Sequence, residues 1–372
     1  MKRNKKRILA GIMILSLFLT VLSGCGSNPA PSSGSNSPAT TEPSSAAETP
    51  AALPGRNVIK SSEAEYDGYV VKVVLGSGIC GAPLHMAMEQ GYFAEEGIEV
   101  EFVKVGDSTI HDLIATGKGD CGYAMLPDTI LRIDQGFDCR IALGIHTGCL
   151  EILVKADSDI TDITQLRGKK IGVPGLASSG RVFATRALQS KGVGVTADNM
   201  EVEFVAFSRG ELSLMLENGT IDAVAINDPT AGTIVDSGVG RSILANATHP
   251  DYQDEICCVG LMGPKFVEEH PYAAAAFLRA IQKGGKFVTE NPVETARIQI
   301  EKSYVGSGDP ELFARLHQTY DYRTSVEGGY TGLLSNMQDL QEAGLISEDL
   351  DIEKVVARTY TVFDDVPESL LK

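Results

Sequence analysis

The sequence predicts an α/β protein of two units, each an open, mostly parallel sheet flanked by helices. Three observations carry that class. Short runs that are nearly apolar on both faces, as buried parallel strands require, alternate with longer amphipathic segments. The alternation falls into two groups that meet near residues 154–157, which suits right-handed crossovers within each unit. Beyond Pro271 the pattern turns mostly helical, and terminal helices usually pack on an existing sheet.

Taken in order, the first group has strands at 70–75, 100–105, 141–145 and 152–154, with helices at 84–93, 109–115 and 129–135. The second has strands at 170–173, 202–207, 223–226 and 242–244, with helices near 181–191 and 211–216. Helices follow at 272–288, 293–302, 311–320, 333–342 and 352–359, and Gly344 reads as a helix stop. The chain therefore leaves the first unit and returns to complete it: 68–154 with 250–372 form one unit and 155–249 the other.

The N-terminus reads differently. Lys2, Arg3, Lys5, Lys6 and Arg7 precede an apolar run that stops at Leu22-Ser23-Gly24-Cys25. That order fits an export signal over 1–24, because the run is shorter than the roughly 20 residues of a spanning helix. Small residues before a cysteine resemble the lipobox of bacterial lipoproteins, which implies lipidation of Cys25 and a membrane anchor on the extracytoplasmic face. Residues 25–67 read as a disordered tether, Ser/Pro/Ala-rich to about residue 57 and too polar to build a core.

Composition limits the partners. A formal charge of −17 argues against nucleic acid and anionic membrane surfaces, yet backbone N–H groups at a helix start still hold a small anion. Cys80, Cys121, Cys139, Cys149, Cys257 and Cys258 lie in or beside apolar runs without CxxC spacing, so buried thiols are expected and no metal site. Adjacent Cys257 and Cys258 read as alternate faces of one strand, with a vicinal disulfide as the other possibility. Gly76-Ser77-Gly78-Ile79-Cys80-Gly81 satisfies G-x-G-x-x-G between a strand and a helix. Pro83 nevertheless puts the first helical turn after the third glycine, and an exported chain has little access to NAD. No cofactor is expected, and the loop is read as a ligand loop at the carboxyl end of a strand or as a plain turn.

Longer stretches resemble a known family. Gly91-Tyr92-Phe93-Ala94-Glu95-Glu96-Gly97-Ile98-Glu99-Val100 is similar to a segment of NMT1/THI5-like substrate-binding proteins for nitrate, aliphatic sulfonates, taurine and thiamine-pyrimidine precursors. The segment Ile163-Thr164-Gln165-Leu166-Arg167-Gly168-Lys169-Lys170-Ile171-Gly172-Val173 resembles that family's passage into its second domain. Gly219-Thr220-Ile221-Asp222-Ala223 with Asn227-Asp228-Pro229 resembles its pocket strand. The resemblance implies a two-lobed periplasmic-binding-protein-like fold of type II, closing on a small molecule and delivering it to an ABC permease. It also implies a monomer that is not an enzyme.

Carried over by position, the ligand-binding candidates are Gly78, Ile79, Cys80, Gly81, Asp107, Ser108, Met125, Leu126, His146 and Thr147 in the first lobe. In the second they are Ser178, Ser179, Arg181, Asn227 and Asp228. Ser178 and Ser179 are equally good N-caps, and His146 is equally a core histidine. Hydroxyls, Arg181 and loop amides lean toward a small anion such as a sulfonate, while the lack of tryptophan gives stacking on a pyrimidine little support. Catalysis would instead require a cysteine of depressed pKa beside His146 or His85.

Overall fold

The computed structural model describes residues 57–371 apart from 107 and 307. The leader, Cys25, the tether as far as residue 56 and the ligand candidate Asp107 lie outside the described residues.

In chain order the first elements are β1 (Asn57–Ile59), β2 (Val71–Leu75), α1 (Ala82–Glu89), α2 (Tyr92–Glu95), β3 (Val100–Lys104), α3 (Ile110–Ala115), β4 (Cys121–Met125) and α4 (Leu126–Asp134). Next come β5 (Arg140–Thr147), β6 (Leu150–Lys155), β7 (Lys170–Val173), α5 (Ser179–Ser190), the small hairpin β8 (Val195–Thr196) and β9 (Asn199–Met200), and β10 (Glu203–Ala206). They are followed by α6 (Arg209–Glu217), β11 (Ala223–Asn227), α7 (Thr230–Asp236), β12 (Gly240–Ala245) and β13 (Ile256–Met262). The chain closes with α8 (Pro264–Glu269), α9 (Pro271–Glu290), α10 (Pro292–Glu301), α11 (Pro310–Thr319), α12 (Val326–Glu342), α13 (Ile352–Thr359) and β14 (Thr361–Phe363).

Two five-stranded sheets form, β3-β2-β4-β13-β5 and β10-β7-β11-β6-β12. Strands that follow a crossover helix pair in parallel, as in β3-β2-β4 and β10-β7-β11. In contrast, β6 and β13, the strands arriving from the opposite sheet, run antiparallel to both of their neighbours. They arrive without a crossover helix, and parallel succession needs one. The sheets are therefore mixed, where the apolar runs alone suggested mostly parallel ones.

Three further expectations change. The run at 152–154 was expected to belong to the first sheet, but β6 pairs in the second. Gly148 and Cys149, both at positive φ (86° and 88°), turn the chain over before it, and apolarity does not say which sheet a strand joins. The tether ends sooner than 67: Val58 and Ile59 supply a strand that pairs in parallel with β14. Ser61 is fully buried, and its hydroxyl donates to Asp364 at 3.2 Å. Finally, α12 begins at Val326 and so includes Gly328, Gly329 and Gly332. A Cβ on Gly329 would lie 2.5 Å from the Gly144 nitrogen of β5, and one on Gly332 would lie 3.1 Å from Ile256 of β13, so these two glycines serve close packing on the sheet and do not stop the helix.

Among the described residues no helix is long and apolar enough to cross a membrane. The six described cysteines are buried free thiols, so Cys257 and Cys258 carry no vicinal disulfide.

Candidate functional site

A cavity of about 890 Å³ opens at the carboxyl ends of β2, β3 and β4, with Ala177 reaching it from the loop before α5. Its chemistry is mixed. Lys104, Arg132 and Lys302 bring positive charge, Tyr123 and Tyr304 bring aromatic rings, and Met88, Met125 and Leu131 bring apolar surface. Two of the cations already have partners, Arg132 with Asp112 at 3.7 Å and Lys302 with Glu89 at 3.3 Å.

Asp128, in the first turn of α4, also lines the cavity. It accepts a 2.5 Å hydrogen bond from Ser179 at the start of α5, which ties the first sheet's helix to the second's. Burial pushes its carboxyl up to about 6. The folded chain therefore binds more protons than the unfolded chain between about pH 4 and pH 6, and stability falls as pH rises through that window. Asp128→Asn keeps an acceptor for Ser179 and removes the titration. Urea unfolding at pH 4 and pH 7 should show a smaller pH dependence in the variant, by at most about 3 kcal/mol because Asp128 is partly exposed. An unchanged difference would refute this account.

Of the sequence candidates, Ser108 and Met125 line the cavity. The others lie elsewhere. Ile79 and Leu126 are buried core residues. Gly78 adopts φ 141° and donates its N–H to the Tyr304 carbonyl at 3.1 Å. Gly81 is packed so tightly that a Cβ there would lie 2.6 Å from the Tyr123 hydroxyl oxygen, so the loop is filled from behind by Tyr123. Ser178 is the N-cap of α5, and the Ser179 hydroxyl is engaged by Asp128. Arg181 donates to the Leu176 carbonyl at 3.0 Å and lays its guanidinium over the Phe204 ring at 5.2 Å, both within the second half.

Asn227 donates to the Asp228 carbonyl at 2.9 Å. The buried Asp228 carboxylate accepts from the Gly232 N–H at 2.8 Å and from the Tyr320 hydroxyl. Burial, then the charge of Glu151, pushes Asp228 up to about 7. Thr147 is buried, and its N–H donates to the Asp321 carbonyl at 3.0 Å.

Beneath the glycine loop runs a hydrogen-bonded chain that no local signal announces. His85 Nε2 donates to the Gly76 carbonyl at 3.2 Å, and its Nδ1 accepts from Gln299 at 3.0 Å. Gln299 Oε1 accepts from His317 Nε2 at 2.8 Å, while His317 Nδ1 accepts from the Tyr322 hydroxyl at 2.7 Å. One set of neutral tautomers satisfies every link, and burial agrees, pushing His85 down to about 4 and His317 to about 3. This chain holds the loop in place against helices far along the sequence.

Cys80, His146, Cys149, Cys257 and Cys258 meet in a second, fully buried cluster at the crossing between the sheets. The expectation that Cys257 and Cys258 occupy alternate faces is overturned by a register shift on each side of Cys258, a bulge that lets both thiols reach the cluster. Hydrogen bonds from Cys149 and Cys258 hold the Cys80 thiol well below the ordinary thiol range.

Comparison with known proteins fits this architecture. The periplasmic nitrate-binding protein NrtA from Synechocystis PCC 6803 superposes with a TM-score of 0.66 at 16% identity, covering 80% of this chain and 87% of that one. The fold is thus the periplasmic-binding-protein fold. A formylaminopyrimidine-binding protein of Halalkalibacterium halodurans is 27% identical over 229 residues, 58% of this chain and 64% of the relative. A 4-amino-5-hydroxymethyl-2-methylpyrimidine phosphate synthase of Uromyces fabae is 25% identical over 224 residues, 56% and 63% of the two chains. The chain thus spans a little under two thirds of the length of these relatives. The synthase overturns the expectation that the protein is not an enzyme, because similarity to binding proteins and to synthases runs through the same sequence. The NMT1/THI5 like family model matches residues 81–295, more than half of the sequence, and the chain belongs to that family.

Proposed function

We propose that the chain is an extracytoplasmic solute receptor of an ABC importer that captures a small planar nitrogen heterocycle of the pyrimidine class. The observation that carries the ligand class is the cavity lined by Tyr123 and Tyr304 together with Met88, Met125 and Leu131, with Asp128 able to donate or accept near neutral pH. The anion reading loses its main support: Arg181 is laid on Phe204, Ser178 caps a helix and Ser179 is bonded to Asp128. A relative that binds a formylaminopyrimidine agrees with the ring-shaped solute.

In this reading 150–249 form one lobe and the remainder the other, joined by the connections β5 to β6 and β12 to β13. A solute touching both lobes binds the closed form better and draws the hinge shut, and the permease recognises that form. Cys25, lipidated after removal of the leader, keeps the receptor at the membrane.

Synthase-named relatives and the Cys80–His146 juxtaposition favour a second reading, chemistry on a pyrimidine precursor. One experiment separates them. The protein is incubated with aminopyrimidines, alkanesulfonates, taurine and nitrate; thermal unfolding is recorded, and the small molecules are recovered for mass spectrometry. Capture predicts an aminopyrimidine recovered unchanged and a stabilisation of about 2.7 kcal/mol at 100 times its dissociation constant. A converted pyrimidine supports the second reading. Stabilisation by a sulfonate or nitrate alone refutes the ligand class.

A further inference from the structure

We propose that His111 sets the specificity of the cavity: its Nδ1 accepts a hydrogen bond from an N–H of the solute and so selects an amino-bearing ring over an anion or an alkylated ring. The inference rests on the reading that this cavity holds a pyrimidine-class solute, and it names the group on that ring which the protein recognises.

The tautomer follows from the hydrogen bonds. Thr129 is fully buried, and its hydroxyl donates its only proton to the Met125 carbonyl at 2.8 Å. That hydroxyl can then only accept from His111 Nε2, which lies 2.9 Å away. Nε2 therefore carries the ring proton, and Nδ1 keeps a lone pair. No described residue bonds Nδ1, and it is not sealed inside the protein as His146 Nε2 is. His111 lines the cavity while only 6% exposed, so Nδ1 is the polar atom that this side chain offers to an occupant.

The ring is held in that orientation. It sits in the first turn of α3, where Thr109 and Asp112 cap one another. The Thr109 hydroxyl accepts from the Asp112 N–H at 3.2 Å, and the Asp112 carboxylate accepts from the Thr109 N–H at 3.0 Å. Phe137 meets the imidazole edge-on at 5.4 Å between centroids. Burial, then the charge of Arg132, pushes the ring down to about 4, outweighing the opposite pull of Asp112. At neutral pH the cavity thus contains an acceptor that does not become a donor, fixed before the solute arrives.

Such an acceptor discriminates by what it needs. An exocyclic amine supplies the missing N–H, whereas nitrate and a sulfonate group present only acceptors, and a methyl in the amine's place leaves Nδ1 unpaired. A site built to bond an N–H rejects the analogue without it more strongly than an apolar pocket discriminates by one methyl. Asp128, one residue before Thr129, also lines the cavity and can accept, so the test must separate the two.

The test titrates the full chain in a calorimeter at neutral pH with 4-aminopyrimidine and with 4-methylpyrimidine, which exchange NH2 for CH3 at nearly equal size. The unaltered protein is expected to bind the amine at least about tenfold more tightly. Glutamine at this position sets an amide nitrogen near the place of Nε2, so His111→Gln keeps the bond to Thr129 and withdraws the acceptor; its preference for the amine should vanish. Asparagine sets an amide oxygen near the place of Nδ1, so His111→Asn should keep the preference while losing stability in urea. A purely structural His111 would do the reverse, with the asparagine variant weakening both ligands alike and the glutamine variant neither. Should a variant not fold, nitrogen-15 spectra of the unaltered protein decide: the amine should shift the Nδ1 resonance and the methyl compound should not. Equal binding of the two pyrimidines, an Nδ1 resonance unmoved by the amine, or a preference that survives His111→Gln and so belongs to Asp128 overturns this inference and leaves the pyrimidine reading standing. If neither pyrimidine binds and nitrate or an alkanesulfonate does, that reading falls and this inference with it.

Discussion

Arg186→Ala is expected to destabilise the fold by about 3 kcal/mol, a large share of the 5–15 kcal/mol that holds a typical domain together. Arg186 projects from α5 on the second sheet with its side chain 5% exposed. It forms a bidentate pair with Glu255 at 2.8 and 2.9 Å, donates through Nε to Asp339 on α12 at 2.9 Å, and reaches Asn336 at 3.1 Å. Glu255 precedes β13, so the guanidinium joins elements of both halves of the chain. Removing it leaves two carboxylates facing one another without a cation, which costs more than the pair itself contributes. The partial exposure of Asp339 keeps the expected loss at the lower end of the range for buried pairs. Arg186→Lys should recover only part, because an ammonium cannot make the planar two-point contact. Urea unfolding of the three proteins decides it, and a loss below about 1 kcal/mol for the alanine variant would show the network to be ornamental.

The fold was largely legible because its signals are local. Apolar periodicity placed helices where α5, α9, α10, α11 and α13 form, within a few residues at each end. What local signals miss is which element a strand or side chain meets. The run that became β6 looks the same whichever sheet it joins, and the glycine-bearing start of α12 reads as helix only once Gly329 is seen against β5 and Gly332 against Ile256 of β13. The candidate site suffered most from this. Ser179, Asp228 and Gly78 sit at strand ends and helix starts as the sequence suggests, but their hydrogen bonds are taken by Asp128, Tyr320 and Tyr304, all distant in sequence. Tyr304 and Lys302 reach the cavity from the end of α10, and nothing nearby in the sequence marks them. The cysteines read singly as buried thiols; only the return of the chain through β13 brings four of them to His146.

Gly284→Ala is expected to cost about 2 kcal/mol or more, although alanine is the better helix former. Gly284 lies inside α9 where α1 crosses it, and a Cβ there would fall 1.9 Å from the Pro83 carbonyl oxygen and 3.1 Å from the Ala87 nitrogen. Alanine gains up to about 1 kcal/mol of helix propensity over glycine. Overpacking typically costs 1–3 kcal/mol, and here the obstacle is backbone that cannot rotate aside, so the steric term should win. Because α1 begins directly after the glycine loop, pushing α1 off α9 also shifts the loop that borders the cavity through Gly76 and Ser77. The variant should therefore unfold at lower urea and bind the solute more weakly. Gly97→Ala is the contrasting case: Gly97 holds φ 76° with only the Tyr272 hydroxyl near, so it should lose stability through backbone strain while leaving affinity unchanged. Equal stability of Gly284→Ala and the unaltered protein would mean that α1 and α9 can separate freely, and the loop's position would then need another explanation.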